Sequence, residues 1–249
     1  MTHVQRIAHG AITELRLARP PVNALDPALC RELAAAVAGA VADGAQALVL
    51  SGGEKVFSAG LDVPYLLSLD SREAVGAAWN DFLAAARALA ACPVPVAAAI
   101  TGHSPAGGCV LALCCDHRVM VDGPYRIGLN ETQVGLVAPE GIQHLMRRAV
   151  GIHRAGQLLV RGELVEAGQA HAIGLVDALA PAGEVVAQAV AWLESLLALP
   201  RAPVLQTRAI ARADLRAALD AIDMDTFVDA WSAPDTQAGL RALVARLGK

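Results

Sequence analysis

Residues 104–116 read SPAGGCVLALCCD, and their reading decides the fold. Gly107 and Gly108 open an apolar run that otherwise suits a buried helix over 107–114. A glycine in a helix interior costs about 1 kcal/mol relative to alanine, so the pair marks a need for bare backbone. Before it, PVAAAIT (95–101) is an apolar run of strand length closed by Gly102. After it, HRVMV (117–121) reads as a further strand. Strand, glycine turn, buried helix and strand in succession describe a sheet covered by helices.

Moving outward, VQRIAHG and AITELRLA read as two strands around Gly10 that end at Pro20-Pro21. Asp26 and Pro27 supply an N-cap and a first-turn proline for a helix whose apolar face is Leu29, Leu33, Val37 and Ala40. AQALVLS (45–51) is a further strand, and 71–91 has helical period. Downstream, GLNETQVGLVAPEG (128–141) reads as a loop. Helices are expected over 141–150, 153–160 and 164–171, with a strand near 175–179. The remainder reads as amphipathic helices over 183–197, 202–220 and 235–247. Val186, Ala189, Val190, Leu193 and Leu197 mark one face, and Leu240, Leu243, Val244 and Leu247 another. The expected division is a catalytic core over 1–190 and a helical region over 191–249.

Composition narrows the function classes. Hydrophobic residues make up 55% and aromatics only 3%, so the core must be built from Ala, Val and Leu. The net charge is −4 with no basic block, which argues against nucleic acid as a partner. Five cysteines, an odd number without a CxxC pair, argue for buried thiols rather than disulfides or zinc. The segment MTHVQRIAHG lacks the apolar core of a signal peptide, and no long charge-free apolar span occurs. The expectation is a cytoplasmic protein without a membrane partner.

Two loops leave apolar strands carrying Ala-Gly: FSAGLD (57–62) and SPAGG (104–108). Backbone N–H groups at a helix start have no internal partner, and small residues let a ligand oxygen approach them. One N–H from each loop would clamp a developing oxyanion. The competing reading is that the glycines only permit tight helix–strand packing. GHSPA (102–106) resembles a nucleophile elbow, but the closing glycine is missing and Pro105 removes an N–H the elbow needs. Phosphate-binding glycine motifs are absent from the sequence. Glu131 is the unusual acid, lying between Leu129 and an apolar run from Val134 to Val137. A carboxylate there is paired, solvated at a loop tip, part of an N-terminal cap, or functional; burial would raise its pKa toward the range of a general base. Asp116 and Asp62 read as structural, binding backbone amides or capping.

RPPVNALD (19–26), FSAGLD (57–62), ITGHSPAGGCVLALCCDHRVM (100–120), IGLNETQVGLVAP (127–139) and AIGLVDALAP (172–181) together resemble the crotonase, or enoyl-CoA hydratase/isomerase, superfamily. FVDAWSAPDTQAGLRALV (227–244) is similar to its terminal helix. The resemblance implies an α/β fold, a spiral of ββα units with a C-terminal helical trimerisation region, assembling as a homotrimer or a dimer of trimers. It implies an acyl-CoA thioester substrate and neither metal nor redox cofactor, coenzyme A being part of the substrate. By motif match, the N–H groups of Ala59 and Gly107 would form the oxyanion hole. Phe57, Gly60, Leu61, Asp62, Val110 and Asn130 would contact substrate.

Hydratases of that family carry a glutamate three residues after the oxyanion glycine, where this chain has Val110. A valine can neither orient water nor exchange a proton, which weighs against hydration. Glu131 alone suffices to move a proton from C2 to C4 of a 3-enoyl-CoA. PAGGCVLAL and GLNETQVGLVAP also resemble the mitochondrial-type Δ3,Δ2-enoyl-CoA isomerases, whereas Pro139-Glu140-Gly141 is closer to bacterial crotonases. Hydration or another CoA-thioester reaction is the alternative, and a non-catalytic acyl-CoA-binding protein the alternative from another class.

Overall fold

The computed structural model describes residues 2–246. Strands β1 (Val4–His9) and β2 (Ile12–Leu17) form a hairpin, and α1 (Pro27–Ala42) leads to β3 (Ala47–Ser51). A short α2 (Val63–Leu67) and a long α3 (Arg72–Ala90) precede β4 (Val96–Ile100). Then come β5 (Ser104–Pro105), α4 (Gly107–Leu113), β6 (His117–Val121) and β7 (Arg126–Gly128). Next are α5 (Glu140–Val150), α6 (Ile152–Arg161), β8 (Val165–Glu166), α7 (Ala167–Ala172) and β9 (Ala178–Ala180). The chain closes with α8 (Val185–Leu197), α9 (Arg201–Ala211), α10 (Ala213–Asp220), α11 (Met224–Trp231) and α12 (Pro234–Arg246).

The main sheet has the order β1-β2-β3-β4-β6-β9. Only the β1–β2 pair is antiparallel. β3 and β4 are buried at every position, which explains their uninterrupted apolar sequences: helices cover both faces. Leu48, Leu50, Val96, Ala98 and Ile100 point into the main core. The alternating residues Ala47, Val49, Ala97 and Ala99 pack instead with Ala189 and Leu193 of α8. A smaller sheet, β5-β7-β8, stands beside it. Residue 190 lies inside α8, so a division there would cut a helix that covers the main sheet.

Asp26 caps α1 by accepting from Leu29 N at 2.8 Å, and Leu29, Leu33, Val37 and Ala40 are buried as their spacing requires. Other expectations change. The region 202–220 is two helices, broken at Arg212, whose side chain reaches the carbonyls of Ala90 and Cys114. Residues 164–171 begin with strand β8 rather than helix because Val165 pairs with Ile127. The loop over 128–141 contains a 3-10 turn, Glu131–Val134. Helices α2 and α11 carry too few turns to show a clear period. In α12, Leu240 is buried, whereas Leu247 lies outside the described residues. Among the described residues, no single helix is long and apolar enough to cross a membrane.

All five cysteines are free and buried, as expected. Burial pushes the Cys109, Cys114 and Cys115 thiols far up, which makes them poor nucleophiles. Asp116 is structural. It accepts from Val96 N at 2.8 Å and pairs with Arg208 at 2.9 Å and Arg212 at 3.0 Å, tying α9 and α10 to the end of α4.

Candidate active site

The two Ala-Gly loops meet, and the stretch over residues 19–26 holds one of them in place. Asn23 adopts a left-handed backbone, φ 50°, a conformation asparagine tolerates better than most residues. Its Nδ2 donates to the Phe57 carbonyl at 3.0 Å, and its own carbonyl accepts from Ser58 Oγ at 2.8 Å. Ala59 N donates to Val22 O at 2.9 Å, Leu25 N to Gly60 O at 2.8 Å, and Asp62 N to Leu25 O at 3.0 Å. Gly60 N reaches Ser58 Oγ at 3.2 Å.

This ladder corrects the expected oxyanion donor. The Ala59 N–H is already committed to Val22, and the Gly60 N–H to Ser58. Among the described residues the Leu61 N–H has no acceptor, and neither does the Gly107 N–H. Leu61 and Gly107 also both line a narrow cleft, which places these two donors at a ligand site. A Cβ on Gly60 would lie 3.1 Å from Gly107 N, so the loops approach backbone to backbone.

The two glycines differ in what surrounds them. A Cβ on Gly108 would sit 2.6 Å from the Ser58 carbonyl, so Gly108 serves close packing. A Cβ on Gly107 would meet the methyl ends of Leu25 and Leu61 at 3.0 and 3.1 Å and the Gly60 Cα at 3.3 Å, so packing demands glycine less there than at Gly108. Ala106, at φ 47°, turns the chain sharply into α4 and sets the direction of that helix.

Leu61, Gly107, Val110 and Glu131 line one narrow cleft. Trp79, Phe82, Leu136, Ala138, Pro139, Ile142 and Phe227 complete it. Among the described residues that line it, Glu131 is the only one with an ionisable side chain. Its Oε2 is enclosed and has no partner among the described residues. Burial pushes its pKa up to about 7, opposed only by its own backbone N–H. The capping reading fails, because the turn it opens has no side-chain cap.

Other elements clamp that turn. Thr236 Oγ1 of α12 donates to Gly135 O at 2.6 Å, and a Cβ on Gly239 would lie 2.4 Å from Val134 O. Thr132 Oγ1 donates to Leu159 O of α6 at 3.1 Å.

Several expected contacts lie elsewhere. Phe57 is fully buried in the core and does not line the cleft. Asp62 caps α2 by accepting from Tyr65 N and pairs with Arg19 at 2.8 Å, which occupies its carboxylate structurally. Asn130 is half-buried beside Glu131 with an enclosed, unpartnered Oδ1, but it does not line the cleft. Ser104 is fully buried in β5 rather than raised on an elbow, so a serine nucleophile has no access there. A larger groove, about 670 Å³, lies between α4, α5, α8, α9 and α10. Its one carboxylate, Asp116, is held by arginines.

The family profile described as enoyl-CoA hydratase/isomerase matches residues 8–247. The chain belongs to that family. It is 37% identical over 189 residues to the probable enoyl-CoA hydratase EchA17 of Mycobacterium tuberculosis, covering 76% of this chain and 72% of that protein. It is 30% identical to the human mitochondrial enoyl-CoA delta isomerase 1, covering 98% of this chain and 82% of that protein. The crystal structure of human mitochondrial delta3-delta2-enoyl-CoA isomerase superposes with a TM-score of 0.94 at 30% identity, covering 99% of this chain and 98% of the other. The expected crotonase fold is therefore correct, and the chain is an enzyme of the hydratase/isomerase family.

A base in this cleft works only when ionised. kcat/KM is expected to rise with pH along one limb centred near 7, the value to which burial raises Glu131. The sign for stability is opposite. The folded value lies above the ordinary 4.5, so the contribution is present below pH 4.5 and is lost as pH rises through about 7. A limb that persists in Glu131→Gln assigns the titration to another group.

Proposed function

We propose that the chain shifts the double bond of a 3-enoyl-CoA to give the 2-trans-enoyl-CoA. The observation that carries this is the single carboxylate of the cleft, Glu131, beside two free N–H donors and the apolar Val110. The thioester oxygen would accept hydrogen bonds from the Leu61 and Gly107 N–H groups. Glu131 would remove a proton from C2, and the negative charge would spread over the dienolate and be held at that oxygen. The same carboxylic acid would then deliver its proton to C4. One carboxyl serves both transfers, so no water has to be activated. No metal or redox cofactor enters this reaction.

Hydration is the second reading, favoured by the name of the 37% identical mycobacterial relative. It requires a group to position and deprotonate water, and Val110, 1% exposed in the cleft, has no such capacity. Supplying 3-enoyl-CoA and 2-enoyl-CoA separately distinguishes the two. Isomerisation raises the ultraviolet absorbance of the conjugated enoyl thioester, whereas hydration lowers it. The expected result is a rise with the first substrate and little change with the second. Fast hydration by the wild type would replace the isomerase reading, and absence of any turnover would favour a binding protein.

Val110→Glu adds a second carboxyl beside the oxyanion glycine. It is expected to gain detectable hydration, far below that of a native hydratase, because nothing packs to orient the new side chain. It should also lower the unfolding midpoint, since it puts a charge at a buried apolar position. Hydration unchanged in a folded variant would remove position 110 as the determinant.

Self-association through the C-terminal helices is part of the proposal. Helix α9 buries none of its residues within the chain, and Ile210 is 79% exposed. Mass in solution by light scattering tests this, a monomer being the contrary result.

A further inference from the structure

The cleft is tightly closed. Its free volume, about 10 Å³, matches about one water molecule. What closes it is unusual for this chain, which has only three tryptophans, two tyrosines and three phenylalanines. Four of them meet beside the cleft: Trp79 and Phe82 of α3 with Phe227 and Trp231 of α11. Trp79 is the hub. Its ring centroid lies 5.9 Å from Phe82, 4.4 Å from Phe227 and 5.8 Å from Trp231, each edge-on. All four are at most 5% exposed. Packed aromatic rings at this density do not yield volume easily.

We infer that this aromatic wall limits the length of the acyl chain, with Phe227 setting the limit, so that the site takes short acyl-CoA thioesters. The inference rests on the proposed reading that the cleft holds the acyl group. The Leu61 and Gly107 N–H groups address the thioester oxygen, while Glu131 addresses C2 and C4. The first four carbons would enter between them by displacing the apolar lining of a cleft that now holds about one water molecule, and further carbons would have to displace the ring wall as well. Trp79 and Phe82 have no room to retreat, because α3 packs against α1, α4 and α10. Phe227 stands on a helix of two turns, α11, reached through residues 221–223 and left through residues 232–233. Arg72 fastens that helix to the start of α3 by pairing with Asp225 and Asp229 at the surface. Exposed pairs of this kind contribute little. The ring of Phe227 is therefore the part of the wall whose removal opens space without dismantling the core.

Calorimetric titration with butanoyl-, hexanoyl- and decanoyl-CoA tests this on the full chain. These saturated thioesters report binding independently of isomerisation. A methylene that fits or fails to fit an apolar pocket changes selectivity by about tenfold or more. Wild-type protein is expected to bind decanoyl-CoA at least about tenfold more weakly than hexanoyl-CoA. Phe227→Ala should abolish or reverse that order, and Phe227→Leu, a smaller cut that keeps the wall apolar, should fall between them. The Leu variant carries the test if the Ala variant does not fold. Decanoyl-CoA bound by the wild type as tightly as hexanoyl-CoA overturns the inference, as does unchanged discrimination in a folded Phe227 variant. Failure to bind any of the three thioesters overturns the acyl-CoA reading itself, and the inference with it. Binding with the expected order but no isomerisation of 3-enoyl-CoA leaves the wall supported and the isomerase reading refuted.

Discussion

Glu131→Gln is expected to lower isomerase turnover by about 10²–10⁴, the usual contribution of a general base. The amide keeps nearly the shape of the acid, so the 3-10 turn and its clamps from α6 and α12 should hold. What it loses is the ability to take the C2 proton. Burial raises its pKa to about 7, so the ionised form that takes the C2 proton is a stronger base than an exposed glutamate, and the acid it becomes still returns that proton to C4. KM should change little, because the carboxylate addresses the reacting carbons rather than the bulk of the thioester. Single-turnover absorbance measurements with 3-enoyl-CoA read the chemical step directly. A variant that isomerises near the wild-type rate would exclude Glu131 as the base.

Gly107→Pro should cost about 10²–10³ in kcat, the range seen when one oxyanion donor is removed. Proline lacks the N–H that remains unpaired in the cleft, and its ring occupies the position from which that hydrogen points. A side chain at 107 meets the ends of Leu25 and Leu61, which can shift by a few tenths of an ångström, and the Gly60 Cα at 3.3 Å. The sharp turn at Ala106 is less forgiving of a proline at the next position, so the unfolding midpoint has to be measured alongside. A variant that unfolds cooperatively like the wild type and retains full turnover would eliminate the Gly107 N–H as a ligand of the thioester oxygen.

Much of the architecture was legible because it is dictated by local patterns. The buried strands β3 and β4 show as apolar runs, and the cap at Asp26 and the turn at Gly107-Gly108 are encoded by the residues themselves. The ordered motifs from 19 to 181 also sufficed for the family, and Glu131 stood out as a carboxylate in an apolar run.

What sequence could not supply is where backbone groups spend their hydrogen bonds. The motif match assigns the Ala59 N–H of the FSAGLD loop as one donor. Only the folding of residues 22–25 alongside that loop consumes the Ala59 N–H and leaves that of Leu61. The same holds for the wall of the cleft. Trp79 and Phe227 are far apart in the chain, and each by its spacing is an ordinary core residue. Their meeting over the cleft depends on how α11 settles on α3. Local propensity and periodicity act over a few residues and therefore fix the elements. The site is made of contacts between distant segments, and the close packing of the whole chain decides those.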